Sequence, residues 1–168
     1  GNSIFVLQTS SSSSYKKIIE LDSSDLEHEA SHSYSTSSSS YYVIDIAIDQ
    51  SSGDIWFPIR DDLGTVKKLD ASDNYDEETV GTSGAIYSTS IEINSGYVYV
   101  IPFHSYDSYG GIKKISLSGS SFENYTYNFS YYTYLGQATF DNNNDLYIST
   151  CYRYSYYTRI NNLDHIYK

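Results

Sequence analysis

Apolar and polar positions along this chain alternate in short runs that recur. Four runs share one shape: "SIFVLQT" from Ser3, "DIWFPIR" from Asp54, "YVYVIPF" from Tyr97 and "DLYISTC" from Asp145. Each centres on an aromatic residue (Phe5, Trp56, Tyr99, Tyr147) flanked by aliphatic or aromatic neighbours. Successive aromatics lie 51, 43 and 48 residues apart. Runs of this length, rich in β-branched and aromatic side chains, predict buried strands.

A second run follows each first one: "YKKIIEL", "VKKLDA", "IKKISL" and, degenerate, "YTRINNL" from Tyr157. The steps from the aromatic to the residue after the leading apolar position are 11, 11, 14 and 11. A third run, "DIAIDQSSGD", "TSIEINSGY" or "QATFDNNND", precedes three of the first runs and ends in a polar turn. Gly and Asn tolerate positive φ, so these junctions predict tight hairpins. Variable stretches such as "SDNYDEETVGT" and "SFENYTYNFS" supply a fourth, outer strand.

The unit is thus about 45 residues of antiparallel strand, the spacing of a four-stranded propeller blade. The expected fold is all-β: a propeller-like array of about four antiparallel four-stranded blades, with the first and last incomplete. One repeat domain covers 1–168, with approximate blades at 1–40, 41–84, 85–130 and 131–168, as part of a larger propeller or with its ring or stack completed by another chain. A β-sandwich with similar strand spacing is the competing architecture. The segment "AIDQSSGDIWFPIRDDLGTVKKLD" resembles repeats of the streptogramin lyase-like and NHL-type propeller families. That resemblance extends over most of Ile44 to Tyr167, with a partial copy at Asn2 to Asp22. It implies the architecture; these families include lyases, lactonases, sensors and scaffolds, and the streptogramin lyase-like enzymes use His and Glu residues with a magnesium ion near the central axis. His104 is the one histidine at the end of a central run, and no His-x-His or Glu pair stands in register with it.

Composition narrows the function. Tyr occurs 21 times, Met is absent, and the formal net charge is −11. An acidic chain does not suit nucleic acid. No apolar stretch is long enough to span a membrane as a helix. A single Cys, Cys151, excludes an intrachain disulfide framework. Asn124 and Asn128 head N-glycosylation triplets, which point to an extracellular or cell-surface protein.

Three local patterns suggest chemistry. "HEASH", His28 to His32, has the H-E-x-x-H form of zinc metalloproteases. A short helix capped by Ser24 would align the two histidines. The flank is Ser-rich, however, and no third ligand follows in the extended pattern, so a polar strand competes with the helix and loss of both histidines is expected to leave stability nearly unchanged. "DNNND", Asp141 to Asp145, opens like a calcium loop, but Leu146 and Tyr152 stand where an EF-hand needs Gly and an acid. The metal candidates are therefore His28, His32, Asp141 and Asp145; the only cofactor they imply is a weakly bound divalent cation. Finally, Tyr106, Tyr109, Tyr132, Tyr152, Arg153 and Tyr154 form a Tyr- and Arg-rich set of loops suited to an interface or to stacking on a glycan.

Together these features favour a non-catalytic binding or structural module. Its expected partners are further copies of itself, another chain completing the blades, or a glycan. The alternatives are a divalent-metal lyase- or lactonase-like propeller enzyme and, third, a zinc metalloprotease.

Overall fold

The structure is a computed structural model that describes residues 3–8, 16–38, 41–85, 87–103, 111–125, 133–152 and 165–167, with 133, 150–152 and 165–167 described by backbone alone. The described residues form an all-β fold of small antiparallel sheets. The first sheet has order β1 (Ser3–Gln8), β2 (Lys17–Asp22), β3 (His28–Ser33). The second runs β4 (Ala47–Ile48), β5 (Ile55–Pro58), β6 (Thr65–Asp70), β7 (Asp76–Thr82). The third runs β8 (Ser90–Asn94), β9 (Tyr97–Ile101), β10 (Lys113–Ser116), β11 (Glu123–Asn124). The fourth has β12 (Thr133–Phe140), β13 (Leu146–Tyr152) and β14 (His165–Tyr167). In this last sheet the strand beside β13 is β14, later in the chain than the run from Tyr157 that the repeat suggested; residues 153–164 lie outside the described residues.

In every sheet the strands neighbour one another in chain order, and several successive strands are joined by short polar turns. Four of those turns use the same device. Asp22 Oδ1 accepts from Ser24 N (2.6 Å) and Ser24 Oγ (2.5 Å). Asp49 and Ser51 (2.9 and 2.7 Å), and Asp70 and Ser72 (2.9 and 2.6 Å), repeat the pair of bonds. Asp141 Oδ1 accepts from the N–H groups of Asn143 (2.8 Å) and Asp145 (2.9 Å). An Asp side chain that caps the backbone two residues on mimics a turn and fixes where the strand stops. Positive φ follows at Leu26, Gly53, Asn74 and Asn144, as such corners require. At the β5–β6 corner the requirement is steric as well. Gly64 has φ +66°, and a Cβ there would meet Ala85 N and O at 2.7 Å.

Three apolar cores lie between successive sheets. Ile18, Ile55, Phe57 and Leu69, with Phe5 and Leu7 against them, join the first sheet to the second. Trp56, Val66, Ile91, Val98, Val100 and Ile115 join the second to the third. Tyr99, Ile101, Leu135, Ala138 and Ile148, with Leu146 and Phe140, join the third to the fourth. Strand side chains alternate between faces, so each central strand feeds two cores. Ile55 and Phe57 face the preceding sheet while Trp56 faces the next; Val98 and Val100 face back while Tyr99 faces forward. Polar contacts supplement this packing. Buried Lys67 donates to the carbonyl and hydroxyl of Ser35 (2.9 Å each) and to Glu77 (2.6 Å), tying the chain after β3 to the second sheet.

Candidate functional site

The HEASH segment is strand β3, not a helix. Its pairing with β2 shifts between Glu20 and Leu21, so that Ala30 lies opposite Glu20 and His28 opposite Leu21, leaving Glu29 as the extra residue. A bulge of this kind reverses the face of everything beyond it. His32, opposite Ile18, therefore faces the second sheet, and His28 faces outward. His32 Nε2 lies 3.1 Å from Glu20 Oε2, and its ring is 4.0 Å from that of Tyr75. His28 Nε2 contacts Ser31 Oγ at 2.8 Å. The two histidines do not converge.

The Asp141 carboxylate of "DNNND" serves the β12–β13 turn. Asp141 also accepts from Tyr147 Oη (3.3 Å), and the N–H of Asp145 bonds to its side chain. These donors, led by the Asp145 N–H, hold the Asp141 carboxyl below its ordinary value. Asp70 is held lower still, at about 2, first by the Ser72 hydroxyl and then by Lys68. Among the described residues no group of three His, Cys, Asp or Glu side chains is placed to hold a metal ion. Asn124 is exposed on β11 and accepts a hydrogen bond from Lys113 Nζ. Tyr106, Tyr109, Asn128, Tyr132, Arg153 and Tyr154 lie outside the described residues, as does the side chain of Tyr152, whose backbone pairs with Thr133.

The described residues build three arrangements that no pattern in the sequence singles out. The first is the outward face of the first sheet. Ile4 and Val6 are each 42% exposed and belong to none of the three cores. Their cross-strand partners Leu21 and Ile19 share that face, so four aliphatic side chains lie side by side.

The second is a guanidinium clamp. Arg60 follows β5, with its N–H bonded to Tyr42 O (2.8 Å). Its Cζ lies 5.5 Å from the Tyr42 ring centroid and 5.1 Å from that of Phe103, distances at which a cation is attracted by each ring. Phe103 in turn packs on Tyr134 at 5.1 Å, and Leu135 N bonds to Phe103 O (3.0 Å). The clamp thus joins the ends of strands from three sheets.

The third is a polar junction between the leading strands of the second, third and fourth sheets. Asp45 Oδ2 accepts from Ser90 Oγ (2.7 Å) and Ile91 N (3.0 Å). Ser90 Oγ also reaches Gln137 Oε1 (3.3 Å) and accepts from Ala138 N (3.2 Å), while Gln137 Nε2 donates to Thr89 O (3.2 Å). Glu92, one residue further along β8, is half-buried. Burial, reinforced by the Asp45 carboxylate, pushes its pKa up to about 7.

Beside these lies a tyrosine cluster. The Tyr99 ring is 5.3 Å from Tyr125, 6.5 Å from Tyr97 and 4.8 Å from Phe140, and Lys114 Nζ lies 4.9 Å over Tyr97. Tyr99 is buried and fills the third core, so this cluster is largely packing.

Among solved structures, the chain is similar to the crystal structure of a protein of unknown function from Bacteroides caccae. Sequence identity is 10%, the TM-score is 0.45, and the match covers 83% of this chain and 63% of that one. The chain therefore spans less than two thirds of that protein's length. No family model and no curated protein matches the sequence.

Proposed function

We propose that this chain is a non-catalytic, propeller-like assembly module whose sheets stack on those of another copy. One observation carries the reading. The motif of an aromatic between two aliphatic or aromatic residues occurs as Ile4-Phe5-Val6, Ile55-Trp56-Phe57, Val98-Tyr99-Val100 and Leu146-Tyr147-Ile148. The outer pair of each triplet faces back along the stack. Ile55 and Phe57 are fully buried, as are Val98 and Val100, and Ile148 is 3% exposed. Leu146 is half-buried, whereas Ile4 and Val6 are open to solvent.

The forward-facing aromatic is what covers the next sheet's back face. Trp56 packs with Val98 and Val100, and Tyr99 with Ile148. Tyr147 occupies the corresponding forward position on the fourth sheet, beside Thr139 opposite it. The face complementary to Ile4 and Val6 is therefore the Tyr147 face of a second copy. Such a contact is head-to-tail, and it generates a ring or a filament according to whether the rotation closes. Covering Ile4, Val6, Ile19 and Leu21 removes apolar area from water, which is the driving term for association.

Size-exclusion chromatography with light scattering tests this. The wild-type chain forms oligomers that grow with concentration. Val6→Lys and Thr139→Arg each abolish them, and a mixture of the two variants gives a discrete dimer through the one intact pair of faces. A monomeric wild type across the micromolar to millimolar range removes the reading. A mixture that stays monomeric removes the head-to-tail geometry.

A further inference from the structure

We infer that the clamp around Arg60 is a binding site for a carboxylate carried on a CH-rich ring, the chemistry of an acidic sugar. The inference rests on the clamp alone and is independent of the proposed self-association.

The chain carries 21 acidic residues against 10 Lys and Arg. Some of its described cations are ion-paired, while others, Lys16 and Lys113 among them, bond neutral oxygens instead. Lys67 bonds Glu77, Lys68 lies within ion-pair distance of Asp54, Asp70 and Glu78, and Lys114 lies near Glu123. Arg60 makes no ion pair with any described residue, although the next two residues are Asp61 and Asp62. Both carboxylates are turned elsewhere. Buried Asp61 accepts from Leu63 N (3.1 Å), Thr65 N (3.0 Å) and Thr65 Oγ1 (2.6 Å), and so caps the β5–β6 corner. Asp62 accepts from Tyr41 Oη at 3.2 Å.

The guanidinium is thus held between two rings, with its hydrogen-bonding edge not satisfied by any described carboxylate. A guanidinium fixed in a plane presents parallel N–H groups that match a carboxylate, and it loses little rotamer freedom on binding. The rim of Tyr42, which is 36% exposed, flanks that edge with aromatic surface, and Phe103, itself packed on Tyr134, is the second ring against the guanidinium. A pyranose bearing a carboxylate supplies both halves: an anion for the arginine and C–H groups for the rings. An acidic peptide supplies the anion on a flexible side chain and has no rigid apolar face beside it.

Titration calorimetry of the full chain with tri-galacturonate, with the neutral galactose trimer and with tri-glutamate distinguishes these. The acidic sugar binds, while the neutral sugar and the peptide bind at least about tenfold more weakly, since a charge-assisted bidentate pair is lost in one and the ring contacts in the other. Arg60→Gln abolishes binding. Arg60→Lys keeps the charge but loses the planar fork, and weakens it by roughly fivefold or more. Because Arg60 also braces two rings, folding of each variant is checked by circular dichroism. In the wild type, the Arg60 Nε–Hε resonance and the Tyr42 ring protons shift on titration with tri-galacturonate. The same titration on the Val6→Lys variant separates this site from self-association. No binding of the acidic sugar, unshifted Arg60 and Tyr42 signals, equal affinity after Arg60→Gln, or equal affinity for tri-glutamate each overturns the inference.

Discussion

Trp56 and Tyr99 hold the same register position in successive sheets: Trp56 lies opposite Lys68 and Tyr99 opposite Lys114, each the second lysine of its Lys-Lys pair. Each ring faces the following sheet, and each has a lysine beside aromatic surface, with Lys68 Nζ 6.0 Å from the Trp56 ring and Lys114 Nζ over Tyr97. The first sheet departs from this. Phe5 lies opposite Glu20, and Lys17 opposite Gln8, so the aromatic and the lysines are displaced by three positions relative to the other two sheets. Alternation along β1 still turns Phe5 towards the next sheet, because a displacement of the partner strand does not alter which face a side chain occupies on its own strand.

Trp56 is 3% exposed and fills the core between the second and third sheets. Trp56→Ala should cost about 3–5 kcal/mol, since the residual cavity collapses only in part. Trp56→Phe should cost less than half of that, because the indole Nε1 has no hydrogen-bond partner to lose. Urea denaturation followed by circular dichroism gives both numbers. Equal costs for the two variants would show that ring size, not burial, sets the position.

Glu92 makes stability depend on pH. Its ordinary value is 4.5, and in the folded chain it is raised to about 7. A raised carboxyl pKa means that folding favours the neutral form. That contribution is complete below about pH 4.5, falls as pH rises, and is gone above about pH 7. Asp45, from the chain before β4, is the charged group facing it, and Tyr99 lies opposite on β9. Glu92→Gln should therefore be more stable than the wild type at pH 8, with the gap closing towards pH 4.5. Denaturation midpoints at pH 4.5, 6 and 8 check this, and a gap that widens in acid contradicts the assignment.

The two histidines of HEASH should differ on replacement. His28 is exposed and its ring contacts the Ser31 hydroxyl, so His28→Ala should change stability by less than about 0.5 kcal/mol. His32 packs between Glu20 and Tyr75 with 10% of its side chain exposed, so His32→Ala should cost about 1–2 kcal/mol. From sequence alone both are expected to be nearly silent; the packing of His32 changes that expectation for His32. Thermal melts of the single variants separate the two, and equal melting temperatures would mean that β3 is not packed as described.

The sequence by itself determined the strands and their turns. Period-two alternation around Phe5, Trp56, Tyr99 and Tyr147 fixed which residues face a core, and the Asp, Ser, Gly and Asn corners fixed where strands end, because both are properties of neighbouring residues. Only the tertiary structure decided what depends on register and on partners distant in the chain. H-E-x-x-H has the same letters in a helix and in a bulged strand; the extra residue at Glu29, set by pairing with β2, is what sends His28 and His32 to opposite faces. Arg60 gave no signal in sequence because Tyr42 and Phe103 lie 18 and 43 residues away, and only the stacking of the sheets brings their rings to it. Glu92 is an ordinary alternating polar position on β8 until the chain before β4 sets the Asp45 carboxylate beside it and burial removes its water. Local pattern encodes faces and corners; charge environment and convergence arise from the contacts between sheets.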